Sequence, residues 1–321
     1  LLIYNALIIS DGSATLPKVI YLKETTGYDE LVIDENTFVS AAEGKTVNLL
    51  VDKVHHNIQP GTYKNAVLYV TNSVTGVYAS HGTEKAQVMS VALFVDETGV
   101  VPAKSVLGAL NGVLYDDNWA TDGSVVSKGD KFGAVRVAGK GVYTVNNMNV
   151  SLEGIGGNDF NGMGSAFAVC DEGNLTINGS TVNAVGVLRT AAFCGNNGVL
   201  TVNDSTFYCD DGGFTAATAP VVPDAGMTTP PKALGVLGYC RATCMVDSGT
   251  SYYNNSKITS NMWGALATDD VDGAKMYVDN CVIETLTNGY GAYSIGPCEE
   301  YFKNSTFNVA SMGIICAAEG H

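Results

Sequence analysis

A short apolar run, a polar triplet and then an aliphatic or aromatic residue form a pattern that recurs through the second half of the chain. In order, the copies are LTINGSTV (175–182), LTVNDSTF (200–207), SYYNNSKI (251–258), MYVDNCVI (276–283) and YFKNSTFN (301–308). Anchored on Val182, Phe207, Ile258, Ile283 and Phe307, they step by 25, 51, 25 and 24 residues. Each copy reads as a strand, an Asn-containing turn, a short strand, a Gly turn and a further short strand. A unit this small cannot bury its own apolar side, so successive units must stack on one another. The 51-residue step is one unit plus an insertion. Within it, FTAATAPVVPDAGMTTPPKAL (214–234) holds four of the eight prolines. That density bars a regular strand or helix and predicts a loop that leaves the repeat and rejoins it.

Short strands repeating in this way, stacked in parallel about 4.8 Å apart, predict an all-β chain. The expected fold is a right-handed parallel β-helix over residues 141–321, with coils of about 25 residues. In period and turn composition this stretch resembles the pectate-lyase-like β-helix superfamily, a resemblance that implies fold and carries no catalytic signature. Asn255, Asn280 and Asn304 stand at one offset before their anchors. This predicts an inward asparagine ladder at a corner, because Asn tolerates left-handed geometry and stacked amides bond from coil to coil. The strings NGS, NDS and NST also read as glycosylation sequons. Cys194, Cys240 and Cys316 fall at similar places after their turns, which predicts stacked, buried and reduced thiols.

Residues 1–140 lack the repeat. VNLLVDKV and NAVLYVTNSV read as strands, while SVLGALNGVLYDDN is open between helix and strand. The expectation is a β-rich region capping the first coil. The opening LLIYNALIIS reads as a strand rather than a signal peptide, since no basic segment precedes it and no small-residue cleavage site follows. His55 and His56 are adjacent in a strand, so their side chains face opposite ways and do not suggest a metal site.

Charge narrows the partners. With 32 acidic and 17 basic residues the net charge is −15, which argues against nucleic-acid binding and against polyanionic substrates. No apolar run reaches the length of a membrane helix. The eight cysteines all lie beyond residue 169. Read as unpaired, and with no visible signal peptide, they favour a cytoplasmic location, secretion staying open. No CxxC pair, HExxH, P-loop or dinucleotide fingerprint occurs.

Candidate chemistry gathers at WGALATDDVDG (263–273). Aligning the coils makes Asp269 and Asp270 the turn after a strand, with Arg241 one coil earlier and about 5 Å away. An Arg beside two Asp holds one carboxylate ionised, while their mutual repulsion raises the pKa of the other. Asp269, Asp270 and Arg241 are therefore the catalytic candidates, for acid–base chemistry on a carbohydrate or other polyhydroxylated or aromatic ligand. A solvated surface turn is the competing reading. Arg189, Trp263 and Tyr290 precede the opening residues of their strands and are expected to project outward. With Tyr293 they would form a substrate-binding platform. Folding of loop 214–234 over Trp263 is the alternative. Asp269, Asp270 and Asp272 offer a weak oxygen set for Ca²⁺, and no other cofactor or metal is expected. Thr268–Asp269–Asp270 and Glu319–Gly320–His321 faintly resemble elements of polygalacturonase-type hydrolases. Their separation exceeds that family's, no Arg-x-Lys follows, and the Arg-x-Pro of pectate lyases is missing, so no catalytic role is carried over. Two functions stay open: an enzyme (lyase, hydrolase or isomerase), and a non-catalytic adhesin-like or glycan-binding module.

Overall fold

A computed structural model describes residues 18–42, 45–72, 76–80, 83–213 and 231–317, the side chains of 71–88 and 270–271 excepted. The strand reading of LLIYNALIIS, most of the Pro-rich loop, and Glu319–His321 lie outside these residues. What is described is all-β, with long parallel sheets.

The chain cycles through three such sheets in a fixed order. The first face holds Trp119–Thr121, Val142–Asn146, Asn174–Asn178, Val199–Asn203, Thr250–Asn254, Ala274–Asp279 and Cys298–Lys303. The second holds Ser124–Ser127, Asn149–Glu153, Thr181–Val185, Thr206–Asp210, Lys257–Ser260, Val282–Thr285 and Thr306–Asn308. The third holds Phe132–Val137, Phe167–Val169, Ala192–Cys194, Thr243–Asp247, Gly264–Val271, Tyr290–Ile295 and Met312–Ala317. Period-two alternation buries one side of each strand. Val145, Ile177, Val202, Tyr253 and Val278 form one buried column inside the first face. The repeat anchors Val182, Phe207, Ile258, Ile283 and Phe307 pair residue for residue as a column of the second face.

The corner between these faces is a left-handed residue repeated coil after coil: Asn147 (φ 53°), Gly179 (57°), Asp204 (51°), Asn255 (50°), Asn280 (54°) and Asn304 (50°). Only Gly, Asn and Asp adopt this geometry readily. The residue before it carries an amide ladder, in which Asn178 donates to Asn146, Asn203 to Asn178 and Asn254 to Asn203, each at 2.9 Å. Asn280 donates to Asn255 at 2.8 Å, and Asn304 to Asp279 at 3.0 Å. The expected ladder of Asn255, Asn280 and Asn304 is thus partly continuous, but it faces outward: all three are exposed. The inward position belongs to the next residue. Buried Ser180, Ser205 and Ser256 accept, through Oγ, the N–H of Met148, Ser180 and Ser205 at 3.2, 3.1 and 3.1 Å.

Within the stack, parallel pairing already joins Ser90–Val95 to Phe132–Val137 on the third face and starts at Trp119 on the first, both ahead of the boundary suggested by the repeat. Before that, antiparallel strands extend the first face in the order Thr26–Ile33, Gly61–Asn72, Lys45–Val51, Val54–His56 and Leu114–Tyr115. They close a separate small core of Leu22, Leu31, Ile33, Leu49, Ala66 and Leu68. The segment open between helix and strand is a 3-10 turn, Leu107–Ala109, followed by the short strands Leu110–Asn111 and Leu114–Tyr115. Among the described residues no helix is long and apolar enough to cross a membrane.

Candidate functional site

The outer side of the third face is not open to solvent. Connections before its strands, including the 3-10 turn Asp159–Asn161 and the return leg that starts at Pro231–Leu234, cover it with apolar residues. Trp263, Tyr290 and Tyr293 lie within this layer at 2%, 0% and 3% exposure, packed with Val187, Leu188 and Val236. The outward aromatic platform expected of them is therefore absent as an exposed surface. Val236 and the partly buried Tyr239 join the cluster around Trp263, so the return leg of the insertion does the covering. Trp263 meets Tyr290 edge-on, with ring centroids 6.4 Å apart.

Arg189 is also buried, and its role is legible from its bonds. Its guanidinium donates to the carbonyls of Gly154, Phe132, Gly164, Gly129 and Glu153, at 2.6 to 2.9 Å. Those bonds satisfy backbone acceptors that the irregular loop would otherwise leave unpaired. Burial brings its pKa down to about 10, still well charged at neutral pH.

Arg241 and Asp269 come together as the coil alignment required, Nη1 to Oδ2 at 2.9 Å. A third partner lies outside the repeat spacing. Asp159, in the 3-10 turn two coils earlier, places Oδ2 2.8 Å from Arg241 Nε, and both residues are fully buried. The Phe160 ring adds its face to the guanidinium at 5.6 Å. Burial works against charge on Arg241, but Asp159 and then its other neighbours hold its pKa well above the usual value. Burial pushes the Asp159 carboxyl up while Arg241 pulls it down. Asp159 Oδ1 has no hydrogen-bond partner. Only Asp269, its side chain 17% exposed, reaches the rim. The arrangement ties a loop, a return leg and a strand together, and a guanidinium locked between two carboxylates offers a substrate no open position.

The Asp270 side chain lies outside the described set, and Asp272 is exposed, its N–H donating to Asp247 O at 2.9 Å. Among the described residues no three His, Cys, Asp or Glu converge as a metal site would require. None of the eight cysteines is in a disulfide. Cys194 and Cys240 are buried, but Cys316 is exposed and the three do not form a column, since Cys194 pairs with Met245. The stacked-thiol expectation fails there because Cys240 precedes its strand instead of lying in it.

A different surface carries ordered side chains that are half-buried to exposed. On the outside of the first face, Trp119, Thr144, Thr176, Thr201, Tyr252, Tyr277 and Tyr301 form one column in register. Tyr252, Tyr277 and Tyr301 stack with centroids 5.0 and 4.9 Å apart, nearly parallel. Tyr252 and Tyr301 are 38% and 49% exposed. The Asn146, Asn178, Asn203 and Asn254 amides run alongside. Over the four strands from Val142 to Asn254 every outward position is Val, Asn, Thr or Tyr. Charges enter only on the last two strands, and they cancel: Lys275 meets Glu299 at 3.6 Å and Lys303 meets Asp279 at 3.0 Å. The signal was present in the repeat. Thr176, Thr201, Tyr252, Tyr277 and Tyr301 all stand six residues before their anchors. No protein-family model, curated protein sequence or solved structure matches this chain, so the reading of its surfaces rests on their own geometry.

Proposed function

We propose that this chain is a non-catalytic, glycan-binding right-handed β-helix of the pectate-lyase-like kind. Its ligand is an extended, neutral polysaccharide laid along the outside of the first face. The observation that carries the reading is the outer surface of the first face, uncharged from Val142 to Asn254 and ion-paired on the last two strands where the tyrosines stack, on a chain of net charge −15. Elsewhere that charge would be expected to appear on any large exposed face. Rows of hydroxyls and amides repeating at the strand spacing of about 4.8 Å suit a polymer with repeating hydroxyls. A neutral polymer escapes the repulsion that an acidic one would meet. The sense of winding follows from the strong right-handed preference of parallel crossovers.

Burial of Arg241 and the cover over Trp263 and Tyr290 support a binding role on the first face over chemistry at the Asp turn. Binding to a panel of neutral and acidic polysaccharides tests the proposal, with Tyr277→Ala and Thr201→Lys as variants. Each is expected to weaken neutral-polymer binding about tenfold, roughly 1.4 kcal/mol, with the fold intact by circular dichroism. Polymer cleavage that disappears in an Asp269→Asn, Asp270→Asn double variant would overturn it.

A further inference from the structure

The mouth of the stack holds a cavity unrelated to the outer face. Strand Lys45–Val51, the segment after Val54–His56 and the turn Leu107–Ala109 enclose about 340 Å³, within the usual range for small-ligand pockets. Its polar lining is Asn48, His56, Asn57, Gln59 and Asn111, and its apolar wall includes Leu107, Leu110 and Tyr115. The cavity therefore lies where the antiparallel N-terminal strands join the first coil, a junction of two packing units of the sort that ligand sites favour.

We propose that this cavity binds a neutral, hydroxylated small molecule about the size of one sugar ring. Three features of the lining select that chemistry. No Lys, Arg, Asp or Glu contributes to it, so neither an anion nor a cation finds a counter-charge. Each carboxamide offers both a donor and an acceptor, matching the dual character of a hydroxyl. Among the described residues, the side-chain amides of Asn57, Gln59 and Asn111 and the ring nitrogens of His56 make no hydrogen bond, leaving them available to a ligand. Burial lowers the His56 pKa, so at neutral pH its ring also presents one donor and one acceptor. Leu107, Leu110 and Tyr115 supply the apolar surface on which the C–H face of a sugar ring rests. The wall is held rigid from behind: His55 stacks on Tyr115 at 4.5 Å and bonds the Tyr69 hydroxyl at 2.7 Å.

Isothermal titration calorimetry of the full chain tests this against glucose, galactose, mannose, xylitol and myo-inositol. Glucuronate, adenosine and uridine serve as comparison ligands. The expected result is saturable heat with at least one neutral sugar or polyol and none with glucuronate. Asn57→Ala and the exposed-site Asn111→Ala should each weaken that binding at least tenfold, with unchanged thermal melting. Neither should alter the polysaccharide binding sensitive to Tyr277→Ala, which separates this site from the outer face. Absence of binding by every neutral sugar and polyol, binding of nucleosides alone, or affinity indifferent to both variants would overturn the proposal.

Discussion

Arg241 Nε stands 2.8 Å from Asp159 Oδ2 across two coils of the stack, with neither side chain reaching solvent. Removing one partner of a buried pair strands the other charge, which costs far more than the pair contributes. Arg241→Met is expected to lower stability by about 3–5 kcal/mol. Adding Asp159→Asn to it should recover part of that loss, since the stranded carboxylate is gone. Urea denaturation of both variants checks this. A double variant less stable than Arg241→Met would show that Asp159 is held by something other than its charge.

Glu300 points into the stack, where Thr268 donates to its Oε1 at 3.2 Å and Oε2 has no hydrogen-bond partner. Burial pushes its carboxyl from an ordinary 4.5 up to about 7. In the unfolded chain the same group ionises near its ordinary value. Between these limits the unfolded state holds fewer protons than the folded one, so stability falls as pH rises through the window. The fall attributable to this residue is about 3 kcal/mol, and it levels off above the folded value. Glu300→Gln should flatten the pH 4.5–7 profile and raise stability at pH 8, as read from denaturation midpoints. An unchanged profile would mean that the carboxyl is solvated in the native state.

Seven of the eight cysteines are buried, and Cys316 is exposed. Burial pushes the Cys170 thiol up to about 11 and Cys194 up to about 12, which removes the reactive thiolate at neutral pH. Titration of the native protein with a thiol reagent at pH 7.5 should therefore modify Cys316 first. Denaturant should then expose all eight thiols without a reductant, and any deficit would reveal disulfides.

The stack was legible because its constraints are local and repeated. The anchors Val182, Phe207, Ile258, Ile283 and Phe307 fixed the coil period, and the same spacing placed Arg241 beside Asp269. Asp159 is not legible in the spacing because it sits in an irregular connection outside the period, where spacing says nothing about proximity. The burial of Trp263 and Tyr290 is hidden from the sequence for a related reason. Alternation tells which side of a strand a residue takes, but it cannot say whether a loop such as 235–242 returns over that side. At the corner the inward position lies one residue beyond the Asn. A left-handed Asn directs its own amide outward and turns the following Ser inward.

That corner yields an ordering of effects. Ser205 Oγ accepts the Ser180 N–H at 3.1 Å and donates to Asn203 O at 2.7 Å, inside the stack. Ser205→Ala leaves a buried donor unpaired, at a cost of about 1–3 kcal/mol. Asn203 donates to Asn178 and accepts from Asn254 on the half-buried outer side, where water can replace both bonds. Asn203→Ala should cost less, about 1 kcal/mol. Asn280 is exposed at φ 54°, so Asn280→Gly should be nearly neutral, whereas Asn280→Val forces a branched side chain into left-handed geometry for about 1–2 kcal/mol. Thermal and urea unfolding of the four variants gives the order. Because the Asn203 amide lies on the same outer face as Thr201 and Tyr252, Asn203→Ala should weaken polysaccharide binding beyond what its small stability loss explains. Ser205→Ala, acting from inside, should leave binding unchanged while lowering stability more. The opposite split, with binding lost in the Ser variant and kept in the Asn variant, would remove the first face as the recognition surface.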